Sequence, residues 1–366
     1  MIRRFLPLAL AATASAAGAQ SILDIGARVA PQIHSYKIDA PSNTTISEFS
    51  VPLFVVVPVS PRLSFDVGSS WTRADVKTTG STAATSTISG PTDTQIRGNL
   101  VLGNDFVVIT GGVNLPTGKS TVPVDQVSAA SLIGSDFLAF PISNMGSGFG
   151  GTGGIAVAYP VGAWNVGGGV SFRHSAQYDP FDITGAPALH YQPGNEYRAR
   201  IGVDRPVGTG HFLVGLTYST FGDDNLGGSI YNTGNRYLSQ LDYSDTFGPG
   251  RLSIDGWNLF RTRGTLAGGS IIDRENIGSG ALAYGIPVGD GLLIEPNVEG
   301  RTWYQAGAAT SFLGTFGLRM QFDMGGLTVV PSGGYSLGQL AAESATTGGT
   351  TATLTGYHAT LAIRLR

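Results

Sequence analysis

The chain has 366 residues, 54 of them Gly, no Cys, 13% charged side chains and a formal net charge of −3. Glycine at that level without a G-X-Y period excludes collagen, and low charge beside 9% aromatics excludes a disordered chain. The lack of Cys excludes disulfide scaffolds, thiolate metal sites and cysteine nucleophiles. No apolar run after the first 20 positions reaches the roughly 18 residues of a helical membrane span.

The N-terminus reads as an export signal. Arg3 and Arg4 form a positive region, Phe5 to Ala12 an apolar one, and Ala17-Gly18-Ala19 a small-residue cleavage site. Cleavage is expected near Ala19-Gln20, so residues 1–19 are a signal peptide and 20–366 the mature chain. A buried amphipathic N-terminal helix explains the small residues less well. Losing Arg3 and Arg4 leaves 20 basic against 25 acidic side chains, an acidic balance that offers no basic surface to nucleic acid.

From there the period is two. Leu63, Phe65, Val67 and Trp71 alternate with Ser64, Asp66, Ser70 and Thr72. The pattern returns at Trp164 to Phe172, Tyr197 to Val203, Leu292 to Val298 and Phe316 to Phe322. A strand sends successive side chains to opposite faces, so each segment has one apolar and one polar face. The segments run about 10–14 residues, beyond the usual ~5–6. Short connections repeat a theme: Pro58-Val59-Ser60, Pro160-Val161-Gly162, Pro206-Val207-Gly208 and Pro287-Val288-Gly289. Gly103-Asn104-Asp105, Gly248-Pro249-Gly250 and Met324-Gly325-Gly326 complete the set. Proline fixes φ and glycine supplies positive φ, as tight reversals require. Longer Thr/Ser/Gly/Asn-rich connections fall near 38–45, 78–91, 116–149, 178–193, 221–233, 264–276, 305–310 and 338–350.

Seven tight turns and eight longer loops predict an all-β fold: a membrane-spanning antiparallel up-and-down β-barrel of about 16 strands, with 14 or 12 as the smaller alternatives. Lipid cannot satisfy backbone N–H and C=O groups, so the sheet must close on itself. Trp71, Tyr159, Trp164, Tyr218, Tyr243 and Tyr304 are expected in interfacial girdles. A secreted β-solenoid lacks support, because the turn motif recurs at irregular spacings. The last strand, with Tyr357, Ala359, Leu361, Ile363 and Leu365 on one parity, resembles the C-terminal assembly signal of outer-membrane barrels, although it ends in Arg366. Expected partners are outer-membrane lipid, the barrel assembly machinery and a small-molecule solute; a homo-oligomer stays open.

The polar parity is assigned to the lumen, where Arg97, Arg173, Glu196, Arg198, Arg200, Glu295, Glu299, Arg301 and Arg319 carry both signs. Arg outnumbers Lys 19 to 3, which suits planar side chains tied into carboxylate networks. These charges brace the wall in one reading and form an arginine ladder guiding anions in the other. The third long connection, 116–149, differs from the rest. Val124, Val127, Ala130 and Ile133 recur at near-helical spacing after Pro123, with Gly134 as a stop. Leu132, Ile133, Phe137, Leu138 and Phe140 then make an apolar patch that needs a burial site. These five are the candidate substrate-path residues. Folding into the lumen, a surface groove and a subunit contact are the three answers.

Gly111-Gly112-Val113-Asn114-Leu115-Pro116-Thr117-Gly118-Lys119 resembles the strand-end "LPTG" segment of outer-membrane barrels in the "meta-pathway of phenol degradation" group, relatives of the long-chain fatty acid transporters. The similarity runs through Gly146 to Gly150 and the hairpin Ile155 to Arg173, to about Phe221. It implies uptake of hydrophobic compounds.

Other signals carry less. Gly118-Lys119-Ser120 lacks the earlier Gly of a phosphate-binding loop, since position 113 is Val. Asp223, Asp224 and Asn225 read as a solvated turn rather than a calcium site. Ser171 and His174 fall on opposite strand faces, so no nucleophile pair forms. The expectation is a channel for passive uptake of small, hydrophobic or aromatic solutes, without catalytic residues, metal or cofactor. The alternatives are a general porin with a water-filled, mixed-charge lumen and an adhesin or anchor that binds through its loops.

Overall fold

The computed structural model describes residues 26–39, 43–80, 83–103, 106–183, 185, 187–306, 308–341 and 351–365. The signal segment and its cleavage site lie outside these residues, as does most of the connection expected at 338–350.

Sixteen antiparallel staves form one sheet that closes on itself. In chain order they are β1 (Gly26–Val29 and Gln32–Ile38), β2 (Asn43–Ser60), β3 (Leu63–Thr79), β4 (Ala84–Pro91 and Thr94–Leu102), β5 (Val107–Leu115), β6 (Gly150–Val161), β7 (Trp164–Ser175) and β8 (Glu196–Val207). The second half comprises β9 (Gly210–Phe221), β10 (Arg236–Phe247), β11 (Gly250–Arg261), β12 (Glu275–Val288), β13 (Leu292–Gln305), β14 (Ser311–Met324), β15 (Leu327–Ala341) and β16 (Thr351–Leu365). Each stave pairs with the next, and β16 returns to β1 through Val29↔Ile363 and His34↔His358. Closure leaves no free edge, the condition for a sheet in lipid. Six of the seven tight turns fall where the Pro/Gly punctuation puts them; Asn104 and Asp105 of the other lie outside the described residues.

Strand alternation sorts the side chains. Phe65, Trp71, Ile155, Val157, Tyr159, Tyr197, Ile201, Phe316 and Leu318 stand exposed on the outer face, while their sequence neighbours point inward. An exterior belt of large apolar residues on a closed barrel marks a membrane-spanning sheet. Among the described residues no helix is long and apolar enough to cross a membrane; the strands do so. Trp164 closes the short-turn end of the belt, with Arg205 stacked 5.0 Å from its ring centroid.

Two features depart from the sequence reading. The connection expected at 78–91 is mostly strand: β3 runs to Thr79 and β4 starts at Ala84. Hydroxyl-rich sequence there reads as loop, yet Thr and Ser suit a strand beyond the belt, where no lipid demands an apolar side chain. Within β4 one extra residue is inserted at Thr92-Asp93, since Trp71↔Pro91 gives way to Gly68↔Gln95. Such a bulge swaps the faces of everything after it. Ser86 and Ile88 therefore point inward before it, and Asp93, Gln95 and Arg97 after it.

Candidate functional site: a lumen narrowed by residues 116–149

A 16-stranded barrel is too wide for its own side chains to fill. Here the segment between β5 and β6 folds into the interior. Its two ends are tied to one carboxylate, Asp93, which the β4 bulge has turned inward. Asp93 Oδ1 accepts from the Gly118 N–H at 3.0 Å, and Oδ2 accepts from the Ser147 N–H and from Asn114 Nδ2, both at 2.7 Å. Asn114 also donates to the Gly148 carbonyl at 2.6 Å. The motif Asn114-Leu115-Pro116-Thr117-Gly118 thus has a mechanical meaning. A Cβ on Gly118 would lie 2.1 Å from the Met145 carbonyl oxygen and 2.5 Å from the Asp93 nitrogen, so only glycine lets the strands of the knot approach.

Beyond the knot the chain makes a 3-10 turn (Val124–Gln126) and helix α1 (Val127–Ile133), capped by Gly134. The near-helical spacing located this element, but its buried face is Ala129 and Ile133; Val124 is exposed. The Ser86 hydroxyl holds it to the wall, donating to the Asp125 carbonyl at 2.6 Å and accepting from the Ala129 N–H at 3.3 Å.

The apolar run after α1 reaches the opposite wall. Phe137, Leu138 and Phe140 are each no more than 5% exposed, Ile133 is fully buried and Leu132 packs at the margin of the same cluster. Phe137 stacks on Trp303 of β13 with ring centroids 5.7 Å apart, and Phe140 meets Tyr36 of β1 edge-on at 5.4 Å. Arg301 donates to the Phe137 carbonyl at 2.7 Å while Glu299 holds the same guanidinium at 2.6 Å. Glu48 of β2 accepts the Ile142 N–H at 3.1 Å. Ala139, between the two anchors, has φ +49, the one non-glycine residue with positive φ among the described residues. That left-handed step turns Leu138 and Phe140 into one core.

Between these polar anchors the inner wall beneath the segment carries an apolar cluster. Ile46, Ala74, Val76 and Ile88 on β2–β4 and Ile277, Leu313 and Leu354 on β12, β14 and β16 are buried against it. A uniformly polar lumen parity therefore fails at the long-loop end. The apolar inner residues at that end match the protein they touch.

The nine lumen charges named from the sequence all lie on the inner face, and most are paired. Arg97 meets Asp66 at 3.2 Å, Arg198 meets Glu196 at 2.6 Å and Arg319 meets Glu295 at 3.2 Å. Arg200 donates to Gln240 at 3.3 Å, and Arg173 to the Ser147 hydroxyl at 3.4 Å. Cross-strand register adds a layering that the linear sequence hides. One rung at the long-loop end runs Arg198, Ser219, Arg236, Arg261, Glu275. Six residues nearer the short turns on each strand, another runs Asp204, Leu213, Asp242, Asp255. The wall left free by the folded segment is basic above and acidic below.

An open space of about 450 Å³ remains between the folded segment and β10–β13. Phe137, Ile277 and Trp303 give it an apolar side, and Arg236, Arg261 and Glu275 a charged one. Glu275 pairs with Arg261 and accepts from Trp303 Nε1 at 3.1 Å.

The next loop laps the first. Val122 and Phe181 form a short parallel bridge, and the Thr121 hydroxyl donates to the Asp179 carbonyl at 2.7 Å. Tyr178 and Tyr191 meet edge-on at 5.4 Å above it. Burial, with Tyr231 and Asp224 nearby, pushes Tyr178 up to about 12 and raises Tyr191 as well, so both phenols stay neutral at ordinary pH. His174 Nδ1 bonds Asn195 at 2.7 Å on the face opposite Ser171. Among the described residues no group of three potential metal ligands occurs.

Asp93, Glu48, Ser86 and Trp303 were not singled out by sequence reasoning. Asp93 lies just past the connection expected at 78–91, and only the bulge reveals its direction. The apolar inner residues opposite loop 116–149 were the available signal, since Ala74 and Val76 interrupt an otherwise polar parity.

No family model matches the chain, and no curated protein does. Among solved structures it is similar to a bacterial polysaccharide outer membrane secretin (6% identity, 93% of this chain and 99% of that one, TM-score 0.49). It is also similar to an anion-selective porin from Comamonas acidovorans (14%, 93% and 99%, 0.44) and to a FadL homologue from Pseudomonas aeruginosa (10%, 93% and 89%, 0.44). With every score below 0.5, none of their activities transfers to this chain.

Proposed function

We propose that the chain is a bacterial outer-membrane channel for passive diffusion of small solutes, and that residues 116–149 form its constriction. The observation that carries this reading is the segment's path: clamped at both ends by Asp93, it crosses the lumen to Arg301 and Trp303 with an opening of about 450 Å³ beside it. The even strand number, the short turns at one end and the long loops at the other support an outer-membrane barrel with its loops outside the cell. The apolar side of the opening favours solutes with an apolar or aromatic body, and its guanidiniums tolerate a polar substituent.

The test is single-channel conductance of the refolded protein in a planar bilayer, with and without residues 123–141. The native channel should conduct weakly and the deletion strongly. Equal conductance from correctly folded barrels would sink the constriction. Uptake into vesicles should then favour small aromatic solutes over sugars of equal size.

The ion-paired lower wall favours a second reading, a general porin with a water-filled lumen. Equal entry of sugars and aromatics would select it.

A further inference from the structure

We propose that the outer face of β1–β3 at the long-loop end is a binding site for the phosphate groups of a glycolipid in the outer leaflet. The proposal rests on the outer-membrane placement but not on the channel reading.

Two staves of this wall are long: β2 has 18 residues and β3 has 17, against 12 for each of β6 to β11. Six extra residues at ~3.3 Å each and a tilt near 40° add roughly 15 Å of height. The added height lies beyond the apolar belt. Phe49 and Trp71, outward-facing, more than 40% exposed and 6.2 Å apart, mark where the belt ends.

Immediately above them the outer face becomes polar and cationic. Lys37, Thr45, Lys77 and Thr85 lie side by side on one cross-strand rung. Ser35, Ser47, Asp75 and Thr87 make the rung below, and Arg73 stands on the next. The chain has only three lysines, Lys37, Lys77 and Lys119, and two of them are here. Elsewhere on the described strands the one outward-facing Lys or Arg is Arg205, at the opposite end.

The carboxylates at the patch orient cations without cancelling them. Asp39 pairs with Lys37 at 2.8 Å, and Asp75 takes Arg73 through two bonds of 2.9 and 3.0 Å. Lys77, exposed, has no ion pair within 4 Å among the described residues, so three cations stand against two anions. Lys37 and Arg73 are both 55% exposed, leaving donors for a second acceptor. Ammonium and guanidinium groups flanked by hydroxyls, just above an aromatic girdle, match a phosphorylated headgroup whose acyl chains lie along the belt. A second copy of the chain fits worse, because a two-fold contact through this patch would set cations against cations.

The test uses the full barrel refolded in lipid-free detergent, with bisphosphorylated lipid A as probe and the same lipid stripped of both phosphates as control. Retention is read by native mass spectrometry on barrels that keep their heat-modifiable mobility. The phosphorylated lipid should be retained and the stripped one lost. Lys37→Gln with Lys77→Gln should weaken binding about thirtyfold. Lys37→Arg with Lys77→Arg should restore it, and Arg236→Gln inside the lumen should leave it unchanged. Equal retention of both lipids, or an unaffected Gln double variant, would overturn the site. So would a lipid-independent dimer that the Gln double variant dissolves, which would assign the patch to a second copy.

Discussion

The two sides of this barrel obey one alternation rule and fill it differently. On β2–β4 the inward positions at the long-loop end include Ile46, Ala74, Val76 and Ile88, all buried under the folded segment, with Glu48 and Ser86 as its polar anchors. On β8–β11 at the same end they include Arg198, Arg236 and Arg261, the last two lining the open space. The outward residues differ as well: Lys37, Arg73 and Lys77 rise above the belt on the first side, whereas Tyr197, Tyr218 and Tyr237 hold the girdle on the second. The contrast shows that lumen polarity in a barrel reports occupancy. Inner residues gather into an apolar cluster where the segment covers them, broken by anchors such as Glu48 and Ser86, and carry charge where the lumen stays open.

If that is correct, emptying the first side should make it behave like the second. Phe137→Ala removes the ring that stacks on Trp303 and should cost the folded segment about 3–5 kcal/mol. The segment then lets go, conductance rises, and proteolysis between 120 and 145 accelerates. An unchanged current with a normal proteolysis rate would show that the Asp93 knot alone holds the constriction.

The knot is the next place to separate the two sides. Gly118→Ala forces a methyl group against the Met145 carbonyl and the Asp93 backbone, with an overpacking cost of roughly 1–3 kcal/mol. Because both ends of the segment share Asp93, the ends should loosen while Phe137 remains docked. Accelerated cleavage near Ser120 and Ser147, with little change in Trp303 fluorescence, is the expected signature. Quenching changes at Trp303 equal to those of Phe137→Ala would mean that knot and anchor are one unit.

On the open side, the acidic rung should tune ions rather than hold structure. Asp242 and Asp255 face each other across β10 and β11. Replacing both by Asn should shift the anion-to-cation permeability ratio upward by roughly fivefold in dilute salt and hardly at all in molar salt. Reversal potentials under a salt gradient measure it. No shift in dilute salt would mean that ions bypass this rung.

Much of this architecture was legible because it follows from local rules. Alternation over long segments, Pro/Gly reversals and a single outlying long connection suffice for a closed barrel with something folded inside. Gly134 and the spacing from Val124 to Ile133 located α1, though not its buried face, because a short helix against a curved wall chooses its contacts from tertiary packing. The Asp93 knot was hidden for a sharper reason. One inserted residue in β4 reverses the direction of every side chain after it, and no propensity distinguishes Thr92-Asp93 as a bulge from the same pair in a loop. The basic and acidic rungs were equally out of reach: Arg198, Arg236 and Arg261 are far apart in the chain, and only the register makes them neighbours.

The smallest expected effect probes the conformational step that lets one segment reach two walls. Ala139 holds φ +49, a region that costs an L-residue about 1–2 kcal/mol and glycine nothing. Its backbone N–H still donates to the Ser135 carbonyl at 2.9 Å, so the turn is closed and the cost is local. Glycine would remove the strain and add unfolded-state freedom worth roughly 0.4–1 kcal/mol. Ala139→Gly should therefore leave the segment equally stable or firmer by up to about 1.6 kcal/mol, with conductance unchanged and proteolysis of 120–145 slightly slower. Faster proteolysis would show that the methyl group itself packs in the interior, and that Leu138 and Phe140 depend on it for their placement.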